Sequence, residues 1–210
     1  MKERSLSEMI KNAAVLFVIT LVAGVLLGFT YEITKEPILR QQEEAIYVAC
    51  QEVFASADSF TEIAYTLPDV YMDQFEQDLV TIGKIFVALD GEQEELGYVV
   101  EVTTSAGYQS DIVIYVGVTN DGVLNAISIL SIAETPGLGM RAQEVLVPQF
   151  HGAAQSYTLG EPTENQMHID AITQATITTK AITTAVNDGL TAAALLRGDL
   201  EPHSGHLNHS

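Results

Sequence analysis

Asp111-Ile-Val-Ile-Tyr-Val-Gly-Val118, then Thr119-Asn120-Asp121-Gly122, then Val123-Leu-Asn-Ala-Ile-Ser-Ile-Leu-Ser-Ile132 is the stretch that decides the architecture of this chain. Two runs rich in β-branched residues suit a pleated, buried surface, where Val and Ile lose little rotamer freedom. Between them, Asn120, Asp121 and Gly122 tolerate positive φ, so the chain reverses there and the two runs pair as an antiparallel hairpin. Working outward, Tyr98–Thr103 and Ile85–Leu89 have the same character, and a shorter strand is expected at Glu62–Thr66. The period changes on either side of this block. Residues 37–55 place Ile38, Ala45, Ala49 and Val53 at helical spacing, with Pro37 suited to a first turn. From Thr176 to about Arg197, Ile182, Val186, Leu190 and Ala193 fall along one side of a second helix, and Pro202 is expected to end it. The pattern predicts an α+β fold: an antiparallel sheet with flanking helices, behind one N-terminal transmembrane helix. No internal repeat is present.

The transmembrane assignment rests on residues 12–31, which contain no charged side chain. Eleven large apolar residues in that run favour insertion by about 3–6 kcal/mol, and its helical length of about 30 Å matches one hydrocarbon core. A cleaved signal peptide is the rival, but the run is longer than a usual signal core and no Ala-x-Ala site follows it. Lys2, Arg4 and Lys11 precede the run while Lys35 and Arg40 follow it, a thin positive-inside bias. The expected organisation is a cytoplasmic tail at 1–11, the span at 12–31, an extracytoplasmic domain at 32–200 and a disordered tail at 201–210.

Net charge is −19, and beyond residue 11 the chain carries 26 acidic against six basic side chains. So acidic a domain is unsuited to nucleic acid or to an anionic lipid surface. Cys50 is the only cysteine, which excludes an intramolecular disulfide, a cysteine-based zinc site and an iron–sulfur cluster held by this chain alone. His203, His206 and His209 lie in the C-terminal tail with no evident further ligand, and they read as part of an unstructured terminus.

The chemistry concentrates in Asp170-Ala-Ile-Thr173-Gln-Ala175-Thr176-Ile-Thr178-Thr179-Lys180. By propensity this is an odd way to open a helix, since Ile and Thr are restricted there. Thr173 as an N-cap and a Thr-rich strand edge are both open readings. Some 40 residues upstream stands Glu134-Thr135-Pro136-Gly137-Leu138-Gly139. There Pro136-Gly137 suits a type II turn, and Gly139 permits a close approach of backbone to a flat ring.

Asp-x-x-(Ser/Thr)-x-Ala-Thr resembles the recognition motif of covalently flavinylated FMN-binding domains. The resemblance implies FMN joined by a phosphoester to Thr176, with Asp170, Thr173 and Ala175 at the other fixed positions; the glycine usual before the alanine is Gln174 here. It also implies an FAD:protein FMN transferase for maturation. The second segment resembles the flavin-contacting loop shared by the G subunit of the Rnf complex and the C subunit of the sodium-pumping NADH:quinone reductase. By that resemblance Glu134, Thr135, Gly137, Leu138 and Gly139 belong to the flavin site. With Gly107-Tyr108 through Gly122 and Tyr31–Ile38, the likeness covers most of the chain.

A threonine hydroxyl is a weak nucleophile, hence the need for a transferase and an activated donor. At a helix start the resulting phosphate meets free N–H groups and the favourable end of the dipole. Lys180, one turn beyond Thr176, is expected to neutralise it, and Arg141 to anchor the loop or the flavin; an exposed charge facing the abundant acids is the alternative for both. No acid–base pair accompanies the motif, and His168 reads as structural or incidental. The resemblance to the Rnf-type G subunit implies its function: an FMN relay in a membrane complex coupling ferredoxin:NAD electron transfer to movement of sodium ions or protons. The implied partners are the other membrane and peripheral subunits of that complex. The C subunit of the quinone reductase, a stand-alone membrane-tethered flavoprotein reductase and a non-redox anchor module are the alternatives.

Overall fold

The computed structural model describes residues 2–65, 79–134, 139–152 and 156–199, with side chains from residue 8 onward. The chain divides into two compact units, one ending at Ala45 and the other beginning at Ile46.

From Lys2 onward the first unit is helical, as part of α1 (Lys2–Val53). Among the described residues this is the one helix long and apolar enough to cross a membrane. Its large apolar side chains, from Met9 through Leu27 to Leu39, are exposed. The hydroxyls of Thr20, Thr30 and Thr34 each donate to carbonyls three or four residues back, so these three threonines are satisfied within the helix. Pro37 lies inside this helix rather than opening a second one. No Gly, Asn or Asp occurs between Tyr31 and Pro37 to stop the chain, and one proline removes only a single N–H from a ladder that continues on both sides. A Glu36–Arg40 ion pair of 2.7 Å bridges the position.

The second unit is built on a five-stranded antiparallel meander, β1 (Ser59–Ile63), β2 (Val80–Leu89), β3 (Glu95–Thr104), β4 (Ile112–Thr119) and β5 (Leu124–Ser131), each strand paired with the next in sequence. The hairpin at Asn120–Gly122 forms as expected, with Gly122 at φ 82°. Two expected strands differ in extent. The first sits at Ser59–Ile63 rather than Glu62–Thr66, and β2 begins at Val80 because its first residues pair with Ile82↔Val102 and Val80↔Thr104 before a bulge at Gly83 and Lys84. Bulges break the alternation that marks a strand in sequence, which is why this extension was not legible.

Successive β4 residues point to opposite faces, and both faces are covered. Ile112, Ile114, Val116 and Val118 join the core with α3 (Thr176–Arg197), against Ile182, Val186 and Leu190. Tyr115 packs on the other side with Ala49, Cys50, Val53 and Phe54 from the end of α1. Glycines permit both approaches. A Cβ at Gly117 would fall 2.9 Å from Val53 Cβ, and one at Gly189 would fall 2.8 Å from Val116 Cγ2. The Asn125 amide donates to the Val53 carbonyl, and Ser128 Oγ donates to Glu52 at 2.5 Å, fixing the end of α1 on the sheet. Burial pushes the Cys50 thiol up to about 12, with Glu101 adding to the effect, so this cysteine is a small core hydrophobe.

After β5 come a 3₁₀ turn (Gly139–Arg141), the single turn α2 (Ala142–Val145) and a second 3₁₀ turn (Val147–Gln149). A short parallel pair follows, β6 (Ser156–Thr158) with β7 (Gln166–His168). At three residues apiece these strands carry no periodic signal. The α3 helix ends at Gly198, at φ 76°, whose N–H caps the carbonyls of Ala194 and Leu195. Glycine thus stops the helix where Pro202 was expected to; Pro202 and the histidine tail lie outside the described residues.

Two outcomes follow from this packing. Gly189→Val is expected to lower unfolding free energy by about 1–3 kcal/mol through overpacking against Val116 and Val102, measured by denaturant titration of the full chain in detergent. The exposed apolar length of α1 predicts that the chain stays with membranes through high-salt and alkaline washes and is released by detergent alone.

Candidate functional site

The segment between β7 and α3 turns sharply at Gln174, whose φ is 65°. Left-handed backbone is the conformation that glycine adopts freely and other residues at a cost of about 1 kcal/mol. Ala175 N–H closes the turn onto the Ile172 carbonyl at 2.9 Å, and Ala175 then stands at the N-cap of α3 without a side-chain cap. Thr173 is therefore not the cap; it is exposed and precedes the left-handed turn. The strand-edge reading fails as well, since Thr176 is the first residue of the helix.

The threonines of this segment divide by what their hydroxyls do. Thr179 is buried, accepts from Ile172 N–H at 3.2 Å and donates to the Ala175 carbonyl at 2.9 Å. Thr178, also buried, donates to Glu134 Oε2 at 3.3 Å. Thr176 is exposed, and its hydroxyl has no hydrogen bond among the described residues. At the first helical position, its own N–H and those of Ile177 and Thr178 have no partner within the helix. An accessible hydroxyl thus stands among free amide donors, with no acidic side chain in the first turn to compete.

Two depressions meet at Thr176. One, of about 480 Å³, is lined by Tyr108, Glu134, Gly139, Gln174, Ala175, Thr176, Ile177 and Thr178. The other, of about 370 Å³, runs past Tyr157, Thr158, Gly160, Lys180, Thr183 and Asn187. Both are within the usual range for small-molecule sites. The first is walled by the exposed rings and alkyl groups of Tyr108 and Ile177, suited to a flat aromatic ligand. The second carries Lys180 at its edge, which makes no ion pair among the described residues.

These residues fit FMN: a hydroxyl for the tether, amide donors and an ammonium group for the phosphate, and an aromatic-walled hollow for the ring. Of the residues singled out from sequence, the structure brings together Glu134, Gly139, Ala175 and Thr176 in one hollow, with Lys180 in the adjoining groove. Asp170, Thr173 and Arg141 line neither. The Asp170 side chain points to solvent and lies 3.4 Å from His168 Nε2, while His168 Nδ1 lies 2.8 Å from the Gly160 carbonyl. The Asp170 backbone is held by Gln149, which accepts from its N–H at 2.8 Å and donates to its carbonyl at 3.2 Å. Arg141 is exposed at the end of the 3₁₀ turn. Thr135, Gly137 and Leu138 lie outside the described residues.

Three contributors escaped the sequence reading. Thr178 looked like one of several equivalent threonines. Asn187 grips the backbone of Tyr157 with both ends of its amide, at 2.8 and 2.9 Å, and so fixes β6 against α3. Tyr108 was visible as part of Gly107-Tyr108, but its place in the wall depends on long-range folding. Gly139 also proves to have an internal reason for its small size: a Cβ there would fall 2.6 Å from Glu134 Cβ and 3.1 Å from Thr178 Oγ1.

Known proteins resemble this chain in sequence over most of its length. The family model of the FMN-binding domain matches residues 107–191, and that of the RnfG N-terminal region matches residues 1–53. The G subunit of the Na(+)-translocating ferredoxin:NAD(+) oxidoreductase complex of Acetobacterium woodii is 34% identical, over 84% of this chain and 87% of its own length. The proton-translocating counterpart from Clostridium ljungdahlii is 29% identical over 84% and 87%. The G subunit of the ion-translocating oxidoreductase complex of Methanosarcina acetivorans is 26% identical over 87% and 93%.

The left-handed turn yields a direct test of the local backbone. Gln174→Val should cost about 1–2 kcal/mol, whereas Gln174→Gly should be neutral or stabilising by up to about 1 kcal/mol, both read from thermal or denaturant unfolding.

Proposed function

The chain belongs to the family of G subunits of ion-translocating oxidoreductase complexes, and from that premise we propose that it carries FMN as a phosphoester on Thr176 and relays electrons within such a complex. The observation that carries the assignment is the Thr176 hydroxyl: exposed, without a partner among the described residues, at an uncapped helix start where two hollows meet, inside the segment matching an FMN-binding domain.

Maturation is then a transfer from FAD. The Thr176 oxygen bonds to the flavin-side phosphorus, the pyrophosphate bridge breaks, AMP leaves and the hydroxyl proton passes to solvent or to a base on the transferase. Thr178 and Thr179 are protected from the same reaction by burial and by the hydrogen bonds they already make. Exposure of Thr176 lets a second protein reach it. The N–H groups of the first helical turn and the Lys180 ammonium would hold the phosphate of such an ester. Tyr108, Ile177 and Ala175 would give the ring an apolar wall to lie against. Bound there, FMN would supply reversible electron transfer. The tether keeps the cofactor at a fixed effective concentration near neighbouring redox centres.

The wider reading follows the relatives. α1 anchors the chain in the membrane, its short basic tail on the cytoplasmic side and the FMN domain on the opposite side. Its partners are the other subunits of an Rnf-type complex, which couples ferredoxin:NAD electron transfer to sodium-ion or proton movement.

Co-expression with an FAD:protein FMN transferase, followed by denaturing electrophoresis under ultraviolet light, tests the covalent assignment. The wild-type band should fluoresce and Thr176→Ala should be dark. A dark wild-type band, with the peptide around Thr176 at its bare mass, would sink the redox role.

A further inference from the structure

Glu134 is the one ionisable side chain buried in the described wall of the Thr176 hollow, only 4% exposed. Its Oε1 accepts from the N–H of Tyr108 at 2.7 Å and from that of Gln109 at 3.3 Å, while Oε2 accepts from the Thr178 hydroxyl. These donors come from two separate parts of the chain: the loop that precedes β4, and the first turn of α3. The carboxylate is therefore a strut joining the loop that carries Tyr108 to the helix that carries Thr176. Two glycines make room for it. A Cβ at Gly107 would fall 2.7 Å from Glu134 Oε1, and one at Gly139 would fall 2.6 Å from its Cβ.

All three contacts treat the oxygens as acceptors, and no cation pairs with them among the described residues. Burying a charge without a counter-ion costs far more than burying a neutral amide. A glutamine would fill the same space and make the same number of hydrogen bonds, because the Thr178 hydroxyl can reverse its role from donor to acceptor. Holding a carboxylate here therefore serves something that the neutral strut alone would not.

We propose that Glu134 is a positioning residue with an electrostatic role: it fixes Tyr108 across the hollow from Thr176, and its negative charge in the wall lowers the reduction potential of the flavin held there. The inference rests on the assignment of FMN to Thr176. Reduction brings electrons onto the ring, and a fixed negative charge nearby in a weakly polarisable wall opposes that gain.

The test uses the full chain in detergent, matured with the transferase, as wild type, Glu134→Gln, Thr178→Val and Glu134→Ala. Flavin fluorescence per chain, iodide quenching of that fluorescence and the potential from a spectroscopic redox titration are read on each, with thermal melting as the folding control. Glu134→Gln keeps the strut and removes the charge. Read on its flavin-loaded fraction, it should shift the potential to a more positive value with less change in quenching than Thr178→Val shows. Thr178→Val keeps the charge and loosens the strut; it should raise quenching with a smaller change in potential. Glu134→Ala should show both effects, and if it fails to fold the first two variants decide. A fluorescent Glu134→Gln with wild-type potential overturns the role of Glu134 while leaving the flavin on Thr176 intact. A dark wild-type band overturns both.

Discussion

Burial of β4 on both faces is the constraint on which the rest of this domain depends. Val116 faces α3 and Gly117 faces the end of α1, so adjacent residues of one strand define the two cores. Each helix comes close because a side chain is missing where it crosses, at Gly189 on one side and Gly117 on the other. The apolar area removed from water along this strand is large, and close approach adds dispersion contacts that a looser packing would forfeit. Once α3 is pinned to the sheet in this way, the position of its first turn, and of Thr176 with it, follows.

The site is an edge of that packing. α3 begins where the core ends, so Thr178 and Thr179 are inside while Thr176 and Ile177 are outside. The chain reaches this point through a left-handed residue and two amide clamps, Gln149 on Asp170 and Asn187 on Tyr157. Each clamp replaces a missing strand partner with a side-chain amide that offers both a donor and an acceptor. A loop so held keeps its backbone polar groups paired without forming a regular strand.

Much of this was legible beforehand. Strands β3, β4 and β5, the turn at Asn120–Gly122 and the limits of α3 all follow from local chemistry: β-branched runs, positive-φ residues and 3.6-residue spacing. The extension of β2 through a bulge and the three-residue strands β6 and β7 were not, because neither has a periodic signature. Pro37 misled in the ordinary way: a proline reads as a boundary locally, but one lost hydrogen bond does not stop a helix with strong formers on both sides.

The motif around Thr176 was readable in sequence through its resemblance to a family motif, while the residues by themselves left a cap or a strand edge equally open. What the string of threonines did not contain was their division of labour. Thr173, Thr176, Thr178 and Thr179 are chemically alike, and only the packing of α3 against the sheet buries two of them and leaves Thr173 and Thr176 exposed with no hydroxyl partner among the described residues, Thr176 alone at the helix start. Glu134 is the same case: its sequence neighbours suggest a loop, while its hydrogen-bond donors lie 26 and 44 residues away. Sequence alone determined β3, β4, β5, α3 and the apolar stretch of α1, because those depend on neighbours a few residues apart. Tertiary structure alone decided which hydroxyl is free and which carboxylate is buried, because burial is set by residues distant along the chain.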